Sequence, residues 1–199
     1  MKVMTVCLLL VFQAQPRSWN FDRERANAIA PDFTREAGDW KVVADTDAPS
    51  KPNVVAQLAR SSGPTFNITL IGDTNYKDVD LAVSMKAVAG STDQGGGLVW
   101  RAKDARNYYI ARYNPLEDNY RVYKVESGQR VELENANVRN TPGWHTLRIT
   151  MTGDRMECYY DGRKYLDVRD STFPAAGKIG LWTKADAQTH FDNLTVSGK

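Results

Sequence analysis

Hydrophobic and polar residues alternate along most of the chain with a period of two. Between Val79 and Met85, the apolar residues occupy every second position, and Asp80, Ala82 and Ser84 lie between them. This alternation is the pattern of a β-strand with one buried face and one solvated face. Comparable runs lie at 40–45, 53–58, 66–71, 97–102, 107–113, 119–126, 129–134, 144–151, 155–160, 178–183 and 189–196.

Short polar turns separate these runs, and helical patterns are nearly absent. Asp161-Gly162 stands between two strand-like runs and predicts a hairpin with a two-residue turn. Residues 23–30 are compatible with one or two helical turns that end before Pro31. About a dozen strands without crossover helices predict an all-β fold, a two-sheet antiparallel β-sandwich of the jelly-roll type.

Composition and charge fit one globular domain, which we place at residues 19–199. Of the 199 residues, 42% are hydrophobic, and 26 Lys and Arg against 24 Asp and Glu give a net charge of +2. Nucleic-acid-binding domains concentrate a large excess of Lys and Arg, so no nucleic-acid partner is predicted. Beyond the N-terminus no apolar run approaches the ~20 residues that span a bilayer.

The N-terminus has the composition of a secretory signal peptide. Lys2 precedes an apolar run, Val3 to Phe12, and Ala14 and Gln15 follow it. We therefore predict a signal peptide at residues 1–15 and a secreted or periplasmic protein. The alternative is that the segment is the first strand or helix of the fold. Removal of the segment would leave Cys158 as the only cysteine and exclude an intramolecular disulfide.

Four stretches of the sequence resemble a known family. The resemblance is to the concanavalin A-like lectin/glucanase superfamily, most closely to its laminin G-like, 3-keto-disaccharide hydrolase group. It implies a jelly roll whose concave face holds sugars in the members that bind them. The stretches are GGLVWRAKDARNYYIARYNPLEDNYRVYKV (96–125), GWHTLRITMTG (143–153), CYYDG (158–162) and GKIGLWTKADAQTHFDNLTV (177–196).

The resemblance leaves the activity open, because the superfamily contains lectins, glycosidases and adhesion modules. Its retaining glucanases carry a Glu-x-Asp-x-x-Glu motif, which places two carboxylates ~5 Å apart. This chain lacks the motif, since Glu132 and Glu134 have no Asp between them. If the protein is a glycoside hydrolase, its catalytic carboxylate is unidentified, and Glu117, Asp104 and Asp118 are the candidates.

A group of arginine, tyrosine, amide and carboxylate residues predicts a sugar site between 101 and 121. Planar groups stack on sugar C–H faces, while guanidinium donors and carboxylate acceptors bind hydroxyl groups. The alternative is that the tyrosines fill the core and the arginines are solvated. Alternation alone does not tell which face of 107–113 is the core. The predicted ligand-binding residues are Arg101, Tyr108, Arg112, Asn114, Glu117 and Arg121.

A structural Ca²⁺ is the predicted metal, as the resemblance implies a site where the last strand meets the N-terminal segment. Asp192, in the Phe-Asp-Asn stretch, matches the position of one carboxylate ligand. Asp22 or Asn20 would supply oxygen atoms from the other end of the chain. The alternative is that Asp192 caps a turn or pairs with a lysine.

Three functions remain open after the sequence is read. The first is a secreted carbohydrate-binding, lectin-like module. The second is a glycoside hydrolase that acts on 3-keto-disaccharides or related glycosides, and the third is a laminin G-like protein-interaction module. A buried carboxyl with a raised pKa beside Arg101 and Arg112 would favour the enzyme, and carboxylates on a rim would favour binding. A flat apolar patch would favour a protein partner.

Overall fold

The computed structural model describes residues 15–199, and these residues form fifteen β-strands and no helix. The predicted signal peptide lies outside the described residues except for Gln15. Residues 23–30 form turns rather than a helical segment. Within the described range there is no helix long and apolar enough to cross a membrane. The strands form two antiparallel sheets, which confirms the predicted all-β sandwich.

The first sheet has eight strands. Its order is β13-β12-β11-β6-β15-β4-β3, and β1 pairs with the C-terminal half of β15. The sheet therefore includes residues just before position 19, where the sequence places the start of the domain. Its strands are β1 (Arg17–Trp19), β3 (Trp40–Ala44), β4 (Asn53–Gln57), β6 (Val79–Ala89), β11 (Trp144–Thr152), β12 (Arg155–Tyr160), β13 (Arg163–Arg169) and β15 (Gln188–Gly198).

The second sheet has seven strands in the order β10-β9-β8-β7-β14-β5-β2. Strands β7 to β10 are consecutive in the chain and consecutive in the sheet, so they form a meander. The strands are β2 (Phe33–Ala37), β5 (Phe66–Ile71), β7 (Gly96–Asp104), β8 (Asn107–Asn114), β9 (Asn119–Glu126), β10 (Gln129–Asn137) and β14 (Lys178–Lys184).

The main hydrophobic core lies between the two sheets. Leu81 and Val83 of β6 belong to it, as do Tyr109 and Ala111 of β8. The alternating residues of each strand supply this core, as the period of two predicts. Burial of each large apolar side chain stabilises the fold by about 1.5–3 kcal/mol.

A second apolar cluster covers the outer face of the seven-stranded sheet. It contains Tyr108 and Ile110 of β8, together with Val99 of β7 and Trp182 of β14. Both faces of β8 are therefore buried, which explains why alternation does not identify its core face. Tyr109, Ala111 and Tyr113 point between the sheets, whereas Tyr108, Ile110 and Arg112 lie on the outer face.

The Asp161-Gly162 turn joins β12 to β13 as the sequence predicts. Both residues have positive φ angles, 47° for Asp161 and 77° for Gly162. Two consecutive positive φ values define the two-residue turn whose twist matches a β-hairpin. Asp161 also accepts a hydrogen bond from the backbone N–H of Thr146, which ties the turn to β11.

Candidate functional site

The outer face of the seven-stranded sheet is concave. Strands β10 and β14 are four positions apart in the sheet, which corresponds to about 19 Å in a flat sheet. The Arg130 guanidinium of β10 nevertheless lies 5.8 Å from the ring of Trp182 on β14 and 5.5 Å from that of Phe66 on β5. Such contacts across the sheet require the face to curve inward.

Three arginines from adjacent strands meet on this concave face and are called here the arginine cluster: Arg112 of β8, Arg121 of β9 and Arg130 of β10. Arg112 and Arg121 are directly paired across the two strands. Like charges placed opposite each other destabilise a sheet, so the arrangement needs compensating groups. Glu117, in the turn between β8 and β9, contacts both arginines through Oε2, at 3.0 Å from Arg112 Nη2 and 3.4 Å from Arg121 Nη1.

Arg112 is the most unusual member of the cluster, because its side chain is 1% exposed while part of its guanidinium lacks a partner. Only Nη2 is engaged, with Glu117 and, at 3.4 Å, with the Tyr123 hydroxyl. Nε and Nη1 are buried without a hydrogen-bond partner. Unpaired buried donors are costly. A ligand that moves a covering side chain aside could place its oxygen atoms against these N–H groups and satisfy them.

Arg130 covers the aromatic rings of the face. Its guanidinium lies 4.4 Å from the Tyr123 ring centre, in addition to its contacts with Phe66 and Trp182. These cation–π contacts hold the side chain flat across the face. Its Nη1 has no hydrogen-bond partner. Burial and the nearby Arg112 charge lower the pKa of Arg130.

The carboxylate that contacts two arginines of the cluster is Glu117. Burial opposes ionisation of Glu117, but hydrogen bonds from Asn119 and Arg112 and the charge of Arg121 lower its pKa overall. Glu117 is 42% exposed, so it lies at the rim of the face. Glu132 Oε2 contacts Arg121 Nε at 3.4 Å and is also exposed at the rim. The pKa of Asp104, in the turn between β7 and β8, is also lowered, since backbone and side-chain donors outweigh its burial.

Gly97 allows the strands beneath the cluster to approach closely. It pairs with Arg112 on one side and with Trp182 on the other. A Cβ atom at this position would lie 1.8 Å from the Ala111 carbonyl oxygen and 2.8 Å from the Arg112 Cα. The glycine-rich start of β7 therefore serves the packing of the sheet under the candidate site.

Arg101, predicted as a ligand-binding residue, lies apart from the arginine cluster. A β-bulge interrupts the pairing of β7 after Trp100, and Arg101 adopts a positive φ of 46°. Its guanidinium donates to three loop carbonyls, those of Lys77 at 2.6 Å, Phe173 at 2.9 Å and Gly153 at 2.7 Å. The bulge thus turns Arg101 from the sheet face to the loops, which it ties together.

Tyr108 and Asn114 lie on the outer face of β8, at its two ends, and both are engaged within the protein. Tyr108 Oη accepts a hydrogen bond from Trp182 Nε1 at 3.0 Å, and burial raises its pKa. Asn114 Nδ2 donates to Asp93 Oδ1 at 2.9 Å, and its own Oδ1 accepts from the Leu116 backbone. Of the six predicted residues, the structure brings together Arg112, Glu117 and Arg121.

Several residues of the face are absent from the group predicted from the sequence. Arg130 and Tyr123 are the most important, followed by Trp182 and the pair of Asp93 with Lys184, whose Oδ2 and Nζ are 3.2 Å apart. One signal was present: Arg130 and Glu132 share a face of the predicted strand 129–134, and that strand follows the one carrying Arg121. Such alternation shows which residues share a face but not that β10 folds over toward β14.

A second depression lies beside Arg101, with a volume of about 550 Å³. The loops at Thr74–Asn75 and Thr172–Lys178 enclose it, and Phe173 and Pro174 make its wall largely apolar. Each of the three guanidinium nitrogens of Arg101 already donates to a loop carbonyl. This depression therefore presents fewer free polar groups to a hydroxyl-rich ligand than the concave face does.

Asp192 and Asp22 meet around the hydroxyl of Ser50. Ser50 Oγ lies 2.9 and 3.1 Å from the two Asp192 carboxylate oxygens, 3.4 Å from Asp22 Oδ1 and 3.1 Å from the Asn20 carbonyl. One hydroxyl proton satisfies only one of these four acceptors. Asp192 is fully buried, and no Lys or Arg of residues 15–199 lies within 4.0 Å of it. Burial and the nearby Asp22 raise the pKa of Asp192.

This group of oxygen atoms is better suited to bind a hard cation than to form hydrogen bonds within the group. Two carboxylates, a hydroxyl and a carbonyl are the ligand types that Ca²⁺ prefers. Within residues 15–199 there is no group of three or more His, Cys, Asp or Glu side chains arranged to hold a metal. A cation bound here would therefore depend on the backbone and hydroxyl oxygens as well as on the two carboxylates.

Two proteins of Bacillus subtilis are similar to this chain. The levanase of strain 168 is 28% identical over 167 residues, which cover 82% of this chain and 23% of the levanase. The chain thus spans about a quarter of the length of that relative. The solved structure of carbohydrate binding module CBM66 matches with a TM-score of 0.71 at 24% identity, covering 84% of this chain and 96% of that one.

A further solved structure and a family model also match the chain. The exoplasmic/lumenal domain of VIP36, in a form with Ca²⁺ and Man3GlcNAc bound, matches with a TM-score of 0.59 at 12% identity, covering 85% of this chain and 84% of that one. A sequence model of the 3-keto-alpha-glucoside-1,2-lyase-like domain matches residues 32–197. The chain therefore belongs to the family of 3-keto-alpha-glucoside-1,2-lyase-like domains.

Proposed function

We propose that this protein is a secreted carbohydrate-binding module that takes its ligand on the concave face of the seven-stranded sheet. The observation that carries the proposal is Arg112, a buried cation with two unpaired N–H donors next to a rim of carboxylates. Guanidinium groups bind pairs of oxygen atoms, which vicinal sugar hydroxyls provide. The likeness to carbohydrate binding module CBM66 supports the same function. The signal-like composition of residues 1–15 supports the proposed export.

A glycoside hydrolase is the second candidate function, and the family of this chain favours it. An acid catalyst at neutral pH requires a carboxyl with a raised pKa. The carboxyl nearest to the arginine cluster, Glu117, has a lowered pKa, because hydrogen bonds and arginine charges outweigh its burial. Glu117 is thus better suited to accept hydrogen bonds from a ligand than to protonate a leaving group.

The experiment that separates the two functions uses one panel of saccharides. We expect the purified protein to bind at least one oligosaccharide on a glycan array and not to cleave it. The same panel, extended with 3-keto-disaccharides, is then incubated with the protein and examined by chromatography. Hydrolysis that is lost in the Glu117→Gln variant would show that the protein is an enzyme and that Glu117 takes part in the reaction.

We further propose a structural Ca²⁺ between Asp192, Asp22, Ser50 and Asn20. The surplus of acceptors around Ser50 Oγ supports it, as does the buried Asp192 without a cationic partner. Such an ion would fasten the N-terminal segment to β15, beside the pairing of β1 with the same strand. The similarity to the VIP36 domain, whose structure is of a Ca²⁺-bound form, supports this proposal.

Chelation should therefore destabilise the protein. A ligand that binds only the folded state at a hundred times its Kd adds about 2.7 kcal/mol, which corresponds to about 5–10 °C in Tm for a domain of this size. We expect excess chelator to lower the Tm by that amount and added Ca²⁺ to restore it. Asp192→Asn should abolish the response, and Asp73→Asn, in an exposed ion pair with Arg17, should retain it. Identical melting curves with Ca²⁺ and with chelator would exclude the site.

A further inference from the structure

We infer that the ligand of the concave face is an acidic saccharide, one that presents a uronate carboxylate to Arg112 and Arg130. This inference rests on the proposed carbohydrate-binding function and specifies the class of sugar. It follows from the charge balance of the face, from the direction of its unpaired donors and from the use already made of its aromatic rings.

The charges on the face do not balance. Glu117 and Glu132 contact Arg121, and Glu117 also contacts Arg112. Arg130 has no carboxylate of residues 15–199 within 4.0 Å of its guanidinium nitrogens. The remaining pair, Lys184 with Asp93, is neutral. One positive charge therefore remains uncompensated in a partly buried setting, where an unpaired charge is costly.

The unpaired donors belong to the two guanidinium groups that lack full compensation. Arg112 Nε and Nη1 and Arg130 Nη1 are all buried without a hydrogen-bond partner. Burial and the charge of Arg112 lower the pKa of Arg130, although Tyr123, Asp93 and Glu117 act in the opposite direction. A carboxylate offers two oxygen atoms and about four acceptor sites. It can therefore satisfy these donors and neutralise the surplus charge at the same time.

The aromatic rings of the face are already occupied. Arg130 lies against Phe66, Tyr123 and Trp182, so its guanidinium takes the place that a sugar ring would fill in a stacking site. A neutral sugar bound mainly by stacking would have to displace it. A carboxylate that reaches the buried donors must also shift Arg130, but it can pair with the displaced guanidinium, which a neutral ring cannot do.

Matched ligands test the inference. Oligogalacturonate, oligomannuronate and glucuronate oligomers are compared with their methyl esters by titration calorimetry. Each ester keeps the ring and the hydroxyl groups and removes the charge. Because charge-assisted hydrogen bonds are about twice as strong as neutral ones, we expect at least one acid to bind about ten-fold or more tightly than its ester. Added salt should weaken the binding of the acid more than that of the ester.

Single substitutions show which residue produces the preference for the acid over the ester. Arg130→Gln should remove the preference for the acid over the ester. Arg148→Gln is the matched control, because Arg148 is exposed on the other sheet and pairs with Asp80, and it should keep the preference. If Arg130→Gln does not fold, the comparison of acid with ester in the wild-type protein decides by itself.

The other outcomes overturn the inference in distinguishable ways. If the esters bind as well as the acids, the inference fails and carbohydrate binding stands. If neutral glycans bind and no uronate does, the same conclusion follows. If no saccharide of any kind binds, the proposed function and the inference both fail.

Discussion

Replacement of Arg101 by methionine is expected to lower the free energy of unfolding by about 4–6 kcal/mol. Three charge-assisted hydrogen bonds disappear, those to the carbonyls of Lys77, Phe173 and Gly153. At about 1.5–2 kcal/mol each, the lower part of the usual range for bonds to charged groups, they account for this loss. Methionine fills much of the space but offers no donor, so the three carbonyls lose their partner. The measurement is chemical denaturation followed by tryptophan fluorescence.

Arg106→Met is the control for this prediction. Arg106 is also an arginine that donates to a loop carbonyl, that of Ser127, but it makes this one bond at an exposed position. We expect this control to lower the stability by no more than about 1 kcal/mol. A loss of similar size in both variants would mean that the three-loop contact of Arg101 contributes little to the fold.

Replacement of Arg112 by methionine is expected to affect ligand binding and not stability, in contrast to Arg101→Met. The variant should keep its stability and lose binding. Arg112 is as buried as Arg101, but two of its nitrogen atoms have no partner. Substitution of an incompletely paired buried charge by an apolar residue of similar volume is often neutral or stabilising. Loss of its charged hydrogen bonds to a ligand should cost about 1.5–3 kcal/mol, roughly ten- to a hundred-fold in Kd.

The two readouts for Arg112→Met are the Tm and the Kd for a glycan that the array identifies. Arg148→Met, on the outer face of the eight-stranded sheet, should change neither substantially. Binding equal to wild type would place the ligand elsewhere on the molecule. A loss of stability as large as that expected for Arg101→Met would mean that the ion pair with Glu117 is a structural contact rather than a binding element.

The alternation of residues predicted most of the strands because burial on one face is a local property. The Asp161-Gly162 dipeptide predicted the hairpin for a similar reason, since two positive φ values depend on the turn residues themselves. The alternation did not predict the bulge at Arg101. A bulge changes the direction of later side chains, and the three loop carbonyls that Arg101 contacts here are distant from it in the sequence.

Only the part of the candidate site whose residues are close together in the sequence could be predicted. Arg112, Glu117 and Arg121 come together because they flank one turn of a meander. Arg130 joins them through the curvature of the sheet, which brings β10 close to the ring of Trp182 on β14. Curvature depends on the twist and packing of seven strands, and no short stretch of sequence carries that information.

The most direct test of the account is a nuclear magnetic resonance titration of the protein with a saccharide identified by the array. Trp182 Nε1–H donates to Tyr108 beneath the arginine cluster, whereas Trp144 lies beside Lys86 on the eight-stranded sheet. The account predicts that the indole signal of Trp182 and the Nε–H signals of Arg112 and Arg130 shift on binding, while the Trp144 indole does not. A titration that shifts Trp144 and leaves Trp182, Arg112 and Arg130 unchanged would contradict a binding site on the concave face.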